Sequence, residues 1–261
     1  MMRIAIALLC LLGFSGPSFA QQRPFILSVG GFGGTSHAAG SAICRLNNQL
    51  PSTEKSNCLV APSKGSIDNL TRMRTGELRV GVATPDAIAA AYTGTGAFQS
   101  AGPNKDLKTL FSLNPAFMML VVSKNSSINK IEDMRGKHIY TQPGSSDALV
   151  MESIWSAFGM DSKLFQPTDL SSSKQSEALC KGEIEVFFAY AGGGAKYINN
   201  AMDCGARLIS IAGPEIEKVI KANPTLKIID MPPDVFHGQK TAMKTLSGLS
   251  TIVATSQLSA D

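Results

Sequence analysis

The sequence of 261 residues has little charge, few cysteines and no long apolar run after its first twenty residues. Charged residues make up 17%, below the roughly 25% of typical globular proteins, whereas the 44% of hydrophobic residues is ordinary. This balance excludes a disordered chain, which needs much charge and few apolar residues. The net charge of +4 comes without a Lys/Arg run, so no nucleic-acid partner is expected. The length allows one large domain or two lobes.

The first twenty residues have the pattern of a secretory signal peptide. Arg3 provides the positive start, residues 4–14 are apolar, and Ser18-Phe19-Ala20 ends in a small residue that signal peptidase accepts. The apolar run is about half of the roughly 20 residues that span a bilayer. We therefore predict a periplasmic protein that begins at Gln21 after cleavage and keeps no membrane anchor.

Four cysteines remain after cleavage, Cys44, Cys58, Cys180 and Cys204. Exported chains usually oxidise an even number of cysteines, and four permit three pairings. We favour Cys44–Cys58 and Cys180–Cys204 because each bridge closes a short loop within one half of the chain. A metal or redox site is the weaker alternative, since there is no Cys-x-x-Cys and no histidine at ligand spacing.

Short apolar runs alternate with amphipathic segments, a pattern typical of an α/β fold with a largely parallel sheet. The runs predict strands at residues 25–29, 58–61, 80–83, 138–141, 184–189 and 207–211. In the first amphipathic segment, Ile43, Leu46 and Leu50 share one helical face and are expected to pack inward.

The two halves of the chain share a local pattern that suggests two similar lobes. Residues 76–83 and 182–189 both read Gly-Glu-aliphatic-charged-Val, followed by an apolar stretch that ends in alanine. Asn114-Pro115 separates two apolar runs, and a second crossing between lobes is expected at residues 248–254. We predict a first lobe of residues 21–115 completed by 245–261, and a second lobe of residues 116–244.

Polar, glycine-rich segments follow five of the predicted strands. They are Gly30-Gly31-Phe32-Gly33-Gly34-Thr35-Ser36-His37, Pro62-Ser63-Lys64-Gly65-Ser66, Thr84-Pro85-Asp86, Gln142-Pro143-Gly144-Ser145-Ser146 and Tyr190-Ala191-Gly192-Gly193-Gly194. Ligands of open α/β sheets bind beyond the carboxyl ends of strands, and amides at a helix start favour an anion. Ordinary strand-to-helix turns have the same composition. Five such segments nevertheless favour a cleft between the lobes that binds a carboxylate.

The predicted ligand-binding residues all come from these segments. They are Gly34, Thr35, Ser36, His37, Ser63, Lys64, Gly65, Ser66, Thr84, Asp86, Gly144, Ser145, Ser146, Tyr190 and Gly192. Lys64 is the one cation in the five segments and is expected to neutralise a ligand carboxylate. His37 and Tyr190 are expected to shape the rest of the site.

The sequence contains no complete enzyme motif of the common classes. The glycine run lacks the Gly-Lys-Ser/Thr ending of a P-loop, and Ser36 stands where a dinucleotide fingerprint has its third glycine. The three histidines are far apart and form no zinc motif. Ser173 and Lys174 belong to a Ser-x-x-Lys match, which leaves a secreted serine hydrolase as an alternative. We predict no enzymatic activity, no cofactor and no metal.

An ordered set of short motifs resembles the TAXI family of TRAP-transporter solute receptors. The motifs are Gly33-Gly34-Thr35, Ser63-Lys64-Gly65-Ser66-Ile67-Asp68-Asn69-Leu70, Gly76-Glu77-Leu78, Phe111-Ser112-Leu113, Gly136-Lys137 and Pro143-Gly144-Ser145. The resemblance extends from Phe25 to about the end of the chain. It implies a two-lobed periplasmic-binding-protein fold of the two-crossing type (type II). It also implies a monomer that delivers a small anionic organic solute (an organic acid, dicarboxylate or amino acid) to a TRAP-type membrane permease.

The sequence departs from the family pattern at positions that bear on the ligand. Members usually have paired aromatic residues after Gly-Gly-Thr, where this chain has Ser36 and His37. Many members continue Pro-Gly-Ser with glycine and a basic residue, where this chain has Ser146 and Asp147. An acidic residue near a helix start repels part of an anion, which predicts a ligand different from the family's usual one. Members also generally continue beyond the position of Asp261, so a truncated or repurposed binding module without a permease is a further alternative.

Overall fold

The computed structural model describes residues 24–51, 57–142, 144–161, 165–256 and 258. The predicted signal peptide and Pro143 lie outside these ranges. Strands and helices alternate along most of the chain, as the sequence pattern predicts. The strands are β1 (Phe25–Ser28), β2 (Cys58–Ala61), β3 (Val80–Ala83), β4 (Leu107–Val122), β5 (Ile139–Thr141), β6 (Phe165–Pro167), β7 (Val186–Gly192), β8 (Arg207–Ser210), β9 (Lys227–Met231) and β10 (Met243–Thr255).

The helices are α1 (Thr35–Asn48), α2 (Ser66–Arg74), α3 (Pro85–Thr93), α4 (Asp147–Ala157), α5 (Ser172–Lys181), α6 (Lys196–Asp203) and α7 (Ile216–Ala222). Within the described ranges, none of the helices is long and apolar enough to cross a membrane. Two short 3-10 turns, Gly96–Phe98 and Ile131–Met134, complete the described elements.

The described strands form one mixed sheet with the order β2-β1-β3-β10-β4-β7-β5-β6. In one half β1 pairs parallel with β2 and β3, and in the other β5 pairs parallel with β6 and β7. Strands β4 and β10 pair antiparallel with each other and with their outer neighbours. The sheet therefore consists of two largely parallel halves joined by one antiparallel pair, which confirms the predicted α/β class.

Both β4 and β10 change partners part-way along their length. The end of β10 pairs with β3, whereas its first residues, Met243 to Ser247, pair with β9. Strand β4 pairs with β7 only from Ala116 onward. The ladder between β4 and β10 is irregular between Leu249 and Thr251. The predicted lobe limits at residues 115 and 245 lie close to these changes.

Each half of the sheet has an apolar cluster on both of its faces. Along β4, Met118, Leu120 and Val122 belong to one apolar cluster, and Met119 and Val121 belong to another. Ile252 and Val253 of β10 are divided in the same way between two clusters of the first half. This alternation follows from the two-residue repeat of a strand, and it gives each half a core above and below the sheet.

Strand β4 differs most from the prediction. Two apolar runs separated at Asn114-Pro115 were expected, but the structure has one continuous strand. Proline removes a ladder donor and is tolerated beside irregularities, and Pro115 lies opposite Leu249 next to the irregular step. Strands β6, β9 and β10 were not predicted, and β7 begins and ends later than residues 184–189.

The predicted packing face of the first helix is correct for Ile43, which packs against the core, and wrong for Leu46 and Leu50. Leu46 and Leu50 are 62% and 44% exposed, and the buried residues of α1 are Gly40 and Cys44. A Cβ atom on Gly40 would lie 2.5 Å from Cγ1 of Val29. The helix therefore packs on β1 through its smallest residues, which a search for large apolar side chains does not find.

Both predicted disulfides are present, Cys44–Cys58 between α1 and β2 and Cys180–Cys204 between α5 and the end of α6. Cys44 and Cys58 are buried in the core of the first half. Cys180 and Cys204 are exposed. The second bridge therefore stabilises mainly by linking two surface helices.

Replacing Cys180 and Cys204 together by alanine should lower the free energy of unfolding by about 3 kcal/mol, because the unfolded chain regains the closed loop's freedom. The Cys44→Ala/Cys58→Ala variant should lose more, since it also removes buried sulfur atoms. Chemical denaturation under oxidising conditions measures both. An equal or smaller loss for the buried pair would contradict the assignment of core packing to Cys44 and Cys58.

Candidate functional site

The five glycine-rich segments converge on one cavity of about 110 Å³. Three of them follow β1, β2 and β3, and two come from β5 and β7 in the other half. Eleven predicted residues line the cavity: Gly34, Thr35, Ser36, Lys64, Gly65, Ser66, Thr84, Ser145, Ser146, Tyr190 and Gly192. The carboxyl ends of parallel strands meet at one sheet edge, and this brings distant segments of the chain together.

Four predicted residues do not line the cavity. Ser63 donates its hydroxyl to the Val29 carbonyl and accepts the amide of Gly65 at 3.0 Å, so it braces the loop. The ring of His37 packs on Phe32, with 4.8 Å between centroids. The carbonyl of Gly144 accepts the amide of Asp68. Asp86 is buried behind the wall.

Three lining residues that sequence reasoning did not select are Phe32, Asp147 and Tyr197, and Gln142, Ser172 and Ser250 also contribute. Phe32 and Gln142 belong to the predicted segments but were passed over in favour of smaller or charged neighbours. Asp147 was noted only as a departure from a family pattern. Tyr197 lies in the first turn of α6, and its position after a glycine-rich segment was the available signal.

Loops of the two halves touch directly around the cavity. The Gly33 carbonyl accepts the amide of Lys196 at 2.8 Å, and the Gly144 carbonyl accepts the amide of Asp68 at 3.0 Å. Gly65 has a φ of +123°, and a Cβ there would lie 3.2 Å from Cα of Ser145. The structure therefore has the two halves closed on each other, and glycine at residue 65 permits the close approach.

Several hydroxyl groups that were expected to contact a ligand make hydrogen bonds within the loops instead. Ser36 accepts the amide of Gly30, Ser66 accepts the amide of Thr84, and Ser145 donates to the Gln142 carbonyl. The first-turn amides of α1 and α2 have no side-chain cap, because their N-cap residues are Gly34 and Gly65, although the Asp68 amide of α2 is donated to the Gly144 carbonyl. Both caps line the cavity. These two helix starts are the anion-favouring part of the site.

Lys64 lines the cavity at an exposed position. Within the described residues, its ammonium takes part in no hydrogen bond or ion pair. Its amide lies 3.3 Å from Oδ2 of Asp68, so the backbone of the loop is held while the side chain remains available. Lys64 can therefore turn toward a negatively charged group in the mouth of the cavity.

Asp86, in the first turn of α3, is 8% exposed, and neither of its carboxylate oxygens makes a hydrogen bond of normal geometry with any described residue. Burial raises the pKa of Asp86 to about 6, and the nearby Thr84 and Tyr190 hydroxyls act in the opposite direction. The carboxyl is therefore held in a place that disfavours its charge.

Asp147, the first residue of α4, lies in the cavity wall contributed by the other half. Burial raises the pKa of Asp147 to about 7, and the charge of Asp86 adds to this effect. Burial and the same two carboxyls also raise the pKa of Tyr190, so its phenol stays neutral. The inner wall thus holds two coupled carboxyls and no cation from the described residues that pairs with them.

Tyr190 connects this wall to the crossing strand β10. Its hydroxyl is buried and makes no hydrogen bond of normal geometry with a described residue. A Cβ atom on Gly248 would lie 2.0 Å from that hydroxyl. The tyrosine therefore depends on glycine at residue 248 for its place beside the cavity.

The Ser173–Lys174 pair of the hydrolase alternative lies at the start of α5. Ser173 Oγ donates to the Phe32 carbonyl at 3.4 Å, and the Lys174 side chain is exposed. The helix begins at Ser172 and its N-cap is Ser171, so Ser173 lies within the first turn. Consecutive helical residues point in different directions, so this pair lacks the geometry of a nucleophile and its base.

Comparison with known families identifies the chain's relationship. The family model of the NMT1-like family matches residues 27–261. The chain belongs to the NMT1-like family. Among solved structures, this NMT1-like chain resembles the alkanesulfonate-binding protein SsuA from Xanthomonas axonopodis pv. citri bound to MOPS. The TM-score is 0.56 at 16% identity, over 90% of this chain and 66% of that one.

Two further structures are similar to the NMT1-like chain. One is the periplasmic aliphatic sulphonate binding protein SsuA from Escherichia coli, with a TM-score of 0.51 and 17% identity over 90% of this chain and 63% of that one. The other is the effector binding domain of QuiR in complex with shikimate, with a TM-score of 0.57 and 8% identity over 92% and 90%. The chain spans about two thirds of the length of the two SsuA proteins. At these identities the likeness establishes the periplasmic-binding-protein fold, as predicted.

The Gly248→Ala variant should lose about 2 kcal/mol of unfolding free energy, because its methyl group would overlap the Tyr190 hydroxyl. Tyr190→Phe removes that hydroxyl, so the double variant should recover most of the loss. Denaturant unfolding of both single variants and the double variant measures the coupling. Equal losses in Gly248→Ala with and without Tyr190→Phe would refute the contact.

The Asp86→Asn variant should make stability less dependent on pH. The pKa of Asp86 is higher in the folded state than the value near 4 of an unfolded chain, so the folded state binds more protons between those values. Stability is therefore greatest at acid pH and is lost as the pH rises through about 6, by an amount of order 3 kcal/mol.

Unfolding free energies of the wild type and Asp86→Asn, measured from acid to mildly alkaline pH, test this dependence. The matched control is Glu217→Gln, which removes one negative charge from an exposed position on α7. A wild-type profile that rises with pH across the same range would show that the sign is wrong.

Proposed function

We propose that the chain is a periplasmic solute-binding receptor whose two lobes close on a small, carboxylate-bearing solute. The observation that carries this proposal is the convergence of five loops, from both halves of the sheet, on one polar cavity. A ligand in such a place touches both halves at once. Its contacts favour the closed arrangement over the open one, which is how a receptor of this fold couples binding to shape.

The carboxylate preference is supported by the loops of the first half. The starts of α1 and α2 present first-turn amides with glycine caps, and Lys64 adds a cation at the mouth. Amides at helix starts and an unpaired ammonium both favour negative charge. We therefore propose that the backbone amides orient the carboxylate of the solute and that the Lys64 ammonium neutralises its charge.

The size of the cavity limits the solute. An apolar cavity of about 150 Å³ accommodates a benzene molecule with its six carbon atoms, so 110 Å³ corresponds to a solute of roughly four to six non-hydrogen atoms. The wall is lined largely by hydroxyl groups and backbone, which suits a polar metabolite. Organic acids, dicarboxylates and amino acids of a few carbon atoms meet both conditions.

We further propose that the partner is a TRAP-type permease and that the chain belongs to the TAXI family of receptors. The support is the ordered motif set of the sequence, three of whose six motifs contribute residues to the cavity wall, among them Gly34, Lys64 and Ser145. In this proposal an ion gradient drives uptake, and the exposed face of the closed receptor meets the membrane protein.

The Lys64→Ala variant should bind an anionic solute about tenfold more weakly than the wild type, because an unpaired cation at the mouth is lost. Titration calorimetry of the folded protein against a panel of small organic acids, dicarboxylates and amino acids measures affinity. The matched control is Lys108→Ala, which removes the same charge from an exposed residue of β4 away from the cavity.

Two outcomes count against this proposal. An absence of saturable heat from every member of the panel, with folded protein, would argue against a solute receptor. An equal effect of Lys64→Ala and Lys108→Ala would reduce Lys64 to a general contribution of charge.

A further inference from the structure

We infer that the solute carries a protonated nitrogen as well as its carboxylate, and that Asp147 binds this cation at the inner wall of the cavity, with the charge of Asp86 behind the wall supporting it. The inference rests on the proposed receptor function and narrows its substrate class to small zwitterions. It concerns the acidic side of the site, where the sequence analysis predicted Asp86 as a ligand contact and Asp147 as a residue that repels part of an anion.

The two carboxyls approach the same place from different halves of the sheet. Asp86 lies in the first turn of α3, which follows β3, and Asp147 begins α4, which follows β5. Asp147 lines the cavity, and Asp86 lies behind Thr84 and Tyr190, which also line it. The charge of Asp86 acts directly on Asp147, so the two groups form one coupled pair.

Three buried oxygens at this wall make no hydrogen bond of normal geometry with a described residue: both carboxylate oxygens of Asp86 and the nearby hydroxyl of Tyr190. Buried polar groups are normally hydrogen-bonded, and a buried charge is normally paired. No Lys, Arg or His among the described residues forms an ion pair with Asp86 or Asp147. An ammonium group has three donors and one positive charge, so in the cavity it pairs with Asp147, which lines the wall, and compensates the charge of Asp86 behind it.

The remaining titratable groups at this wall do not replace such a cation. Tyr190 and Tyr197 have raised pKa values because of burial and the nearby carboxyls, so both remain neutral. Lys64 is exposed at the mouth. A zwitterion therefore meets complementary charge at both ends, with its carboxylate toward Lys64 and the amides of α1 and α2, and its ammonium toward the aspartate pair.

The coupled pair also predicts that protons are released or taken up when a solute binds. Without a cation, the raised pKa values of Asp86 and Asp147 keep part of the pair protonated near neutral pH. An arriving ammonium group lowers both pKa values, so protons are released to the buffer. A solute with only a carboxylate raises them further, so protons are taken up.

Titration calorimetry with matched probes tests the inference. Alanine and γ-aminobutyrate carry both charges at two spacings, whereas propionate and butyrate have the same carbon chains without the nitrogen. At least one amino compound should bind ten or more times as tightly as its matched acid, which is about 1.4 kcal/mol or more. Repeating the titration in two buffers of different ionisation enthalpy should show that protons are released.

Substitutions of the two aspartates test where the cation of the solute binds. Asp147→Asn should weaken the preferred amino compound about thirtyfold and leave the matched acid unweakened, because a charge partner in the wall is lost. Asp86→Asn should act in the same direction. The control is Glu217→Gln on the exposed face of α7, which should bind like the wild type.

The outcomes separate this inference from the receptor function. If propionate, butyrate or a dicarboxylate binds as tightly as the amino compounds, or if binding takes up protons, the cation site is refuted and the receptor function stands. If no organic acid or amino acid binds to the folded protein, both proposals fail. If a zwitterion binds but Asp147→Asn leaves its affinity unchanged, the assignment to the aspartate pair is wrong.

Discussion

The antiparallel pairing of β4 with β10 is the constraint on which the rest of this structure depends. Each strand contributes one end to the first half of the sheet and the other end to the second half. Because the two parallel halves extend from this pair, the turns after β1, β2 and β3 meet the turns after β5 and β7 at one cavity. Residues far apart in sequence, such as Ser36 and Tyr190, are neighbours for this reason alone.

The sequence predicts the local elements of this architecture better than their connection across the molecule. Strands β2 and β3 match their predicted bounds, and both disulfides pair as expected. Residues 107–122 were described as two apolar runs separated at Asn114-Pro115, whereas β4 is one strand in which Pro115 lies opposite Leu249 beside an irregular step. The helical pattern also selected Leu46 as a packing residue, but Leu46 is exposed. Helix α1 packs through Gly40, which lies against Val29, and this contact is not visible in the sequence.

The candidate site was also predicted only in part: the residues of its wall were found, but their charges and interactions were not. Glycine and hydroxyl residues after strands identified most of the cavity wall, because their position relative to the sheet edge follows from topology. The charge interactions within the wall could not be predicted from the sequence. Asp86 was selected as a ligand contact and Asp147 only as an obstacle to an anion, since their coupling requires two turns from different halves to face each other. Tertiary contact created that pair, and no local pattern encodes it.

The contact between Tyr190 and Gly248 links the floor of the cavity to the backbone of a crossing strand. The hydroxyl occupies the volume that any side chain at residue 248 would need. A side chain larger than hydrogen at residue 248 would therefore displace the phenol from the cavity wall. The shape of the pocket thus depends on the smallest residue of a strand that belongs to both halves of the sheet.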